Sequence, residues 1–118
     1  MSFTDAEIAQ YEEQGYLQGP RVLSDEQIVA LQRHIDAILD GQVDFPQHLM
    51  SVTVEQSRSK GHLPSNKVVN LLRNDPIFAG LLDNAAIGAL AHQLMQGPVR
   101  LWEDQMIYKP SFDERTVL

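Results

Sequence analysis

The longest amphipathic segment of the chain begins at Ser24 and ends at Gly41. Ser24 and Gln27 have the spacing of a capping box, and apolar residues then recur every three or four positions. The apolar face of this segment is formed by Ile28, Leu31, Ile35 and Ile38. This pattern predicts a helix of about four turns with one buried face.

Two shorter helices are predicted near the start of the chain and in its second half. Thr4 and Glu7 form another capping box, and Gly15 can end the helix in a left-handed conformation. Asn84 can cap a helix whose apolar residues continue to Gly97, where a Gly-Pro pair ends it. The short pieces between the first two predicted helices, around the Gly-Pro pair at 19–20, are expected to be extended.

The middle of the chain has a less regular pattern. Apolar and polar residues alternate over 50–55, which predicts a short strand, and a polar loop is expected over 57–67. Ser65 or Asn66 can cap a further helix through the apolar residues up to Leu72. The sequence Asn-Asp-Pro at 74–76 is expected to close that helix and start another turn.

A long strand is predicted near the end of the chain, within residues 98–110. Its apolar and polar residues alternate, but Glu103 and Gln105 fall on the same predicted face as Leu101 and Ile107. A polar group on an apolar face can mark a functional site. The alternative is that Glu103 and Gln105 lie near a sheet edge and point to water.

Composition and charge restrict the class of protein. The chain has 118 residues with a net charge of −7, and 43% of its residues are hydrophobic, which fits one small globular domain. The negative field disfavours nucleic acid as a partner. No cysteine, no signal-like start and no long apolar run are present, so we expect a soluble, cytoplasmic protein that does not bind membranes.

Few residues suggest chemistry by themselves. The four histidines are widely spaced, and His34 and Asp36, an H-x-D pair, fall inside the longest predicted helix, where they point in different directions and are interpreted as solvated flanks. One basic segment, residues 57–73, holds four cations and no carboxylate: Arg58, Lys60, Lys67 and Arg73. This segment is either an anion site or a loop whose cations balance the acidic surface.

Two stretches together resemble the N-terminal part of the phytanoyl-CoA dioxygenase family. They are TDAEIAQYEEQGYLQGPRVLSDEQIVALQRHID at 4–36 and NKVVNLLRNDPIFAGLLDNAAIGALAHQLMQGPVRLWEDQMIYKP at 66–110. The resemblance implies an iron(II)- and 2-oxoglutarate-dependent oxygenase acting on a small organic or acyl substrate. The implied fold class is α+β, with a mostly helical N-terminal layer leading into a double-stranded β-helix, or jelly roll.

For the domain organisation, the resemblance implies a single or partial domain over 1–118. Its helical part covers 1–97, and the first long strand of the jelly roll covers 98–110. The resemblance also places Lys67, at the start of a helix, and Gln105, on the strand, at positions that contact 2-oxoglutarate. Lys109 matches a lysine that is frequent in the family, without an assigned role.

The iron ligands that the resemblance implies are two histidines and an aspartate, and they have no counterpart here. The family's H-x-D follows the Lys-Pro strand, whereas no histidine follows His92. We therefore expect these residues to be part of a longer oxygenase. The alternative is a non-catalytic interaction module that uses the helical layer, and in both cases the oligomeric state stays open.

Overall fold

The computed structural model describes residues 1–111, and these residues form an α+β fold. The helices are α1 (Asp5–Gln14), α2 (Asp25–Leu39), α3 (Val54–Lys60), α4 (Leu71–Asn74), α5 (Pro76–Ala79) and α6 (Ala85–Met95), with a 3₁₀ turn at Gln47–Leu49. The strands are β1 (Asn66–Val69) and β2 (Gln105–Tyr108), which pair antiparallel. The mixed helix and strand content confirms the α+β class, while residues 112–118 of the predicted domain lie outside the described residues.

The three longest helices begin where the sequence predicts. The Thr4 and Ser24 hydroxyls accept hydrogen bonds from the third backbone amide of α1 and α2, and each capping box is complete. The Asn84 side chain accepts from two amides at the start of α6. These caps satisfy amides that have no partner inside the helix, so local sequence determines these boundaries.

The first residues of the chain are attached to α6 by a side-chain amide. Gln93 Oε1 accepts a hydrogen bond from the Phe3 amide at 2.7 Å, and Gln93 Nε2 donates to the Phe3 carbonyl, also at 2.7 Å. The Phe3 side chain is buried. One glutamine therefore pairs with both polar groups of a backbone unit, as a neighbouring strand would.

The predicted strand over 50–55 is wrong. Thr53 caps α3 through a complete capping box with Gln56, so a helix begins at Val54 and occupies the first part of the predicted loop. Met50 keeps extended character, since it forms an isolated bridge with Val68. The alternating pattern was thus produced by one bridging residue followed by a helix start.

The predicted helix from Ser65 or Asn66 is also wrong over its first half. Residues 66–69 form β1, and the helix α4 begins only at Leu71. Asn66 is buried and its amide bonds Ser51 Oγ and both backbone groups of Val52, which holds the chain extended. The predicted turn at 74–76 is confirmed, because Asp75 caps α5 and Pro76 is its first residue.

The predicted long strand is shorter than expected. Only Gln105–Tyr108 pairs with β1, and residues 99–104 contain no strand. Arg73 Nη2 donates a hydrogen bond to the Trp102 carbonyl at 3.1 Å and lies 3.5 Å from the Leu101 carbonyl. These contacts direct the two carbonyls toward a guanidinium instead of a neighbouring strand.

The core lies between α2, α5 and one face of the sheet. Its buried apolar members are Ile38, Leu39, Phe45, Met50, Val68, Leu71 and Phe78, and Met106 and Tyr108 pack against it. Among residues 1–111, no helix has the length and apolar character needed to cross a membrane.

Candidate functional site

The face of the sheet turned away from the core carries both residues that the resemblance implicates in cosubstrate binding. In the register of β1 and β2, Lys67 lies opposite Ile107 and Val69 lies opposite Gln105. Residues directly opposite each other share a face, so these four residues form one surface, which we call the outward face. The other face carries Asn66, Val68, Met106 and Tyr108.

Lys67 lies inside β1 and does not open a helix, which corrects the prediction for this residue. Its backbone amide donates to Ser51 Oγ at 2.8 Å, and its carbonyl accepts from the Ser51 amide at 2.8 Å. These bonds use the outer edge of β1 and keep Lys67 extended. The side chain of Lys67 is half-buried on the outward face.

Lys67 and Gln105 are diagonal neighbours on the outward face. Such a pair in an antiparallel sheet has a typical separation of about 7–8 Å, within the reach of a lysine and a glutamine side chain. The structure therefore brings together two residues that are far apart in sequence. It does so through strand pairing, which the sequence pattern alone did not predict for residue 67.

The Gln105 side chain is exposed and contacts Glu103. Gln105 Nε2 donates to Glu103 Oε1 at 3.3 Å, and Glu103 is exposed as well. The sequence left two interpretations of Glu103 and Gln105, a functional site or polar groups near a sheet edge that point to water. Their exposure agrees with the second interpretation. An exposed amide next to a lysine remains a suitable hydrogen-bonding partner for a carboxylate. Lys109 directly follows β2 and is exposed.

The four cations of the basic segment 57–73 do not form one anion site. Arg58 Nη2 donates to the Asp40 carbonyl at 3.2 Å, whereas Arg73 binds the carbonyls before β2. Lys60 is the last residue of α3, and Lys67 alone of the four lies on the outward face. The segment therefore contributes one cation to the candidate site.

His34 is not the solvated helix flank that the sequence suggests. Its Nε2 lies 2.6 Å from Asp75 Oδ2, and its ring contacts that of Phe78. Burial raises the pKa of Asp75, but the hydrogen bonds from His34 and from the Phe78 and Ile77 amides, with the charge of His34, outweigh it and lower the pKa. No signal in the sequence could pair two residues 41 positions apart.

The described residues do not fit an iron centre. Residues 1–111 contain no group of three or more histidine, cysteine, aspartate or glutamate side chains that could hold a metal ion. His34 is paired with Asp75, and Asp36 is exposed on another side of α2. The donor set of a facial triad is thus not assembled by this part of the chain.

An apolar groove lies between α6 and the segment before β2. Its volume is about 430 Å³, and it is lined by Leu72, Leu81, Leu82, Asn84, Ile87, Gly88, Ala91, Val99, Arg100 and Leu101. Next to it, Trp102 is 88% exposed. No local pattern in the sequence indicates this groove, because its walls come from helices and an irregular segment that meet only in the fold.

Comparison with known proteins gives no relative. No family model, no curated protein and no solved structure matches the chain.

Proposed function

We propose that the chain forms the N-terminal part of a non-haem Fe(II)- and 2-oxoglutarate-dependent dioxygenase that resembles phytanoyl-CoA dioxygenase and hydroxylates a small organic or acyl substrate. In this proposal β1 and β2 are the first strands of a jelly roll. The observation that supports it is the position of Lys67 and Gln105 as diagonal neighbours on the outward face.

The side chains of the outward face suit 2-oxoglutarate chemically. The Lys67 ammonium can form a charge-assisted hydrogen bond with a carboxylate, and the second hydrogen on Gln105 Nε2 can donate to another oxygen. Val69 and Ile107 lie beside them and offer apolar contact to the methylene groups between the two carboxylates. The iron ligands in this proposal come from outside residues 1–111.

To test this proposal, the protein is expressed from the reading frame that encodes the chain. The succinate that this protein forms from 2-oxoglutarate is then measured with added Fe(II). We expect Lys67→Ala to raise the 2-oxoglutarate concentration needed for half-maximal rate by roughly 10- to 100-fold, because it removes a hydrogen bond to a charged group worth about 1.5–3 kcal/mol. Lys60→Ala is the matched control, an exposed lysine of the same basic segment, and we expect it to behave as wild type.

Two results would overturn this proposal. The first is a wild-type protein that forms no succinate above the iron-only background. The second is a Lys67→Ala variant with an unchanged 2-oxoglutarate requirement, which would remove Lys67 from the site.

The second candidate is a protein-interaction module, and the observation that favours it is the exposed apolar surface around Trp102. Leu101, Val99 and Ile107 are also exposed in the segment that leads into and through β2. Side chains of this kind are typical of surfaces that another chain covers. Sedimentation equilibrium of the chain tests it: reversible, concentration-dependent association that Trp102→Ala abolishes supports the module, and a monomer at all concentrations contradicts it.

A further inference from the structure

We propose that Asp104 sets the register of β2 against β1 and thereby determines which side chains the outward face presents. The register does not depend on the proposed function, whereas its consequence for cosubstrate binding rests on it. Asp104 immediately precedes β2 and is part of no strand or helix.

Asp104 is bonded once to the turn that joins β1 to α4 and once to the first turn of α4. Its backbone carbonyl accepts a hydrogen bond from the Asn70 amide at 2.9 Å, and its Oδ2 accepts from the Leu72 amide at 3.1 Å. These donors are 32 or more residues away in sequence. The start of β2 is thus fixed to the end of β1 by the main chain and the side chain of one residue.

The second bond replaces a cap that α4 does not supply for itself. Asn70 occupies the N-cap position with φ of 55°, and its side chain makes no capping hydrogen bond. The Leu72 amide belongs to the first turn, where no carbonyl within the helix can accept from it. The Asp104 carboxylate provides the missing acceptor from another segment of the chain.

The hydrophobic pattern of β2 specifies its register only weakly. A shift by one residue would turn Gln105 toward the core and Met106 outward, because side chains alternate between the faces. That shift is opposed by the packing of Met106 and Tyr108 against the core, whereas a shift by two residues keeps every side chain of β2 on its face and is not opposed by the pattern. A short strand of this kind requires an additional determinant of register, and the Asp104 bonds supply one.

The other carboxylate oxygen of Asp104 points to a conservative variant that tests this contact. Oδ1 is buried and has no hydrogen-bond partner among residues 1–111. Such an oxygen costs stability, since it has lost water without gaining a donor. An asparagine can keep the acceptor for Leu72 and place an amide where the unpaired oxygen lies, which makes Asp104→Asn a conservative variant of the contact.

Nuclear magnetic resonance of the chain tests the proposal through the cross-strand contacts of Val69. In wild type and in Asp104→Asn we expect backbone NOEs between Val69 and Gln105. In Asp104→Ala we expect these NOEs to be lost, or to be replaced by NOEs from Val69 to Glu103 or Ile107 that report a shifted register. Asp83→Ala removes an exposed carboxylate before α6 and serves as the control. An Asp104→Ala variant that retains the wild-type NOEs overturns the proposal.

A measurement on the wild type keeps the test decisive if Asp104→Ala does not fold. The Leu72 amide must exchange with solvent much more slowly than in an unfolded chain, because its proton is held by Asp104. Exchange of this amide at the unfolded-chain rate overturns the proposal.

Titration with 2-oxoglutarate of the protein expressed from the reading frame that encodes the chain, with Fe(II) present, separates this inference from the proposed function. If wild type binds, we expect the half-saturation concentration to rise about tenfold or more in Asp104→Ala and to stay at the wild-type value in Asp104→Asn. If wild type does not bind, the proposed function fails while the NOE result still decides the register. Equal binding by wild type and Asp104→Ala overturns the consequence for the site.

Discussion

A hydrogen bond of 2.6 Å joins Nε2 of His34 on α2 to Oδ2 of Asp75, the residue that caps α5. The other oxygen of Asp75 accepts hydrogen bonds from the Ile77 and Phe78 amides at 2.9 and 3.0 Å. Asp75 is buried, so its charge is stabilised entirely by these donors. One carboxylate therefore connects the longest helix to a short helix of the core.

This connection predicts stability that is lost in acid. The pKa of Asp75 lies below its ordinary value of 3.8, so its ionised form stabilises the folded state above that pH, and the contribution disappears as pH falls through the lower folded-state pKa. We expect Asp75→Asn to reduce the free energy of unfolding at pH 7 by about 1.5–3 kcal/mol, since it replaces a charged acceptor with a neutral amide.

Urea denaturation between pH 7 and pH 2.5 measures both effects. The wild type should approach the Asp75→Asn variant in stability as pH falls, while the exposed Asp83→Asn variant should stay close to wild type throughout. Parallel pH profiles for wild type and Asp75→Asn would contradict this explanation.

Gly41 and Gly61 allow a matched test of steric space in the turns that follow α2 and α3. Both have positive φ, +74° and +71°, so alanine is strained at each by about 1–2 kcal/mol. A Cβ at Gly41 would lie 2.5 Å from Val54 Cγ1, whereas a Cβ at Gly61 would meet nothing within 4 Å. We expect Gly41→Ala to cost about 1–3 kcal/mol more than Gly61→Ala, because Val54 must move.

The two free energies of unfolding can be compared directly in urea. Equal losses for the two variants would show that the backbone strain alone accounts for both glycines and that Val54 yields freely.

Asn66 is predicted to be the polar residue on which β1 depends most. It is 1% exposed and makes three hydrogen bonds with Ser51 and Val52, at 3.1, 3.1 and 2.7 Å. Asn66→Ala leaves the amide and carbonyl of Val52 without these partners, so we expect a loss of about 2–4 kcal/mol in the free energy of unfolding.

Asn74→Ala is the control for this prediction. Asn74 is exposed and its side chain makes a single bond to the Asn70 carbonyl, so its loss should cost less than about 1 kcal/mol. If both variants lose the same stability, the buried network around Asn66 does not hold β1.

Local signals in the sequence were sufficient for the long helices and insufficient for the sheet. The caps at Thr4, Ser24 and Asn84 act within their own helices, and all three were predicted correctly. By contrast, β1 is extended because Asn66 bonds Ser51 and Val52 and because β2 pairs with it from far along the chain. Strand formation that depends on distant partners leaves little trace in local spacing.

The candidate site, too, was predicted correctly only where local sequence determines the structure. Gln105 was expected on a strand and lies on one, whereas Lys67 was expected at a helix start and lies on a strand. The relation between the two residues depends on register, and register depends on contacts such as that of Asp104 with Leu72. The pair of His34 with Asp75 was missed for a similar reason, since the turn that carries Asp75 is positioned only by the folded core.

The amide of Gln93 that pairs with Phe3 has a consequence for the order of folding. This contact closes a loop of 90 residues, and the entropy lost on closing a loop rises with its length. Contacts of such high sequence separation are slow to form, because the entropy of loop closure is lost before the contact stabilises the chain. We therefore expect the first residues to dock last during folding and to detach first under native conditions. The packing of α2 on the sheet stays intact when these N-terminal residues detach.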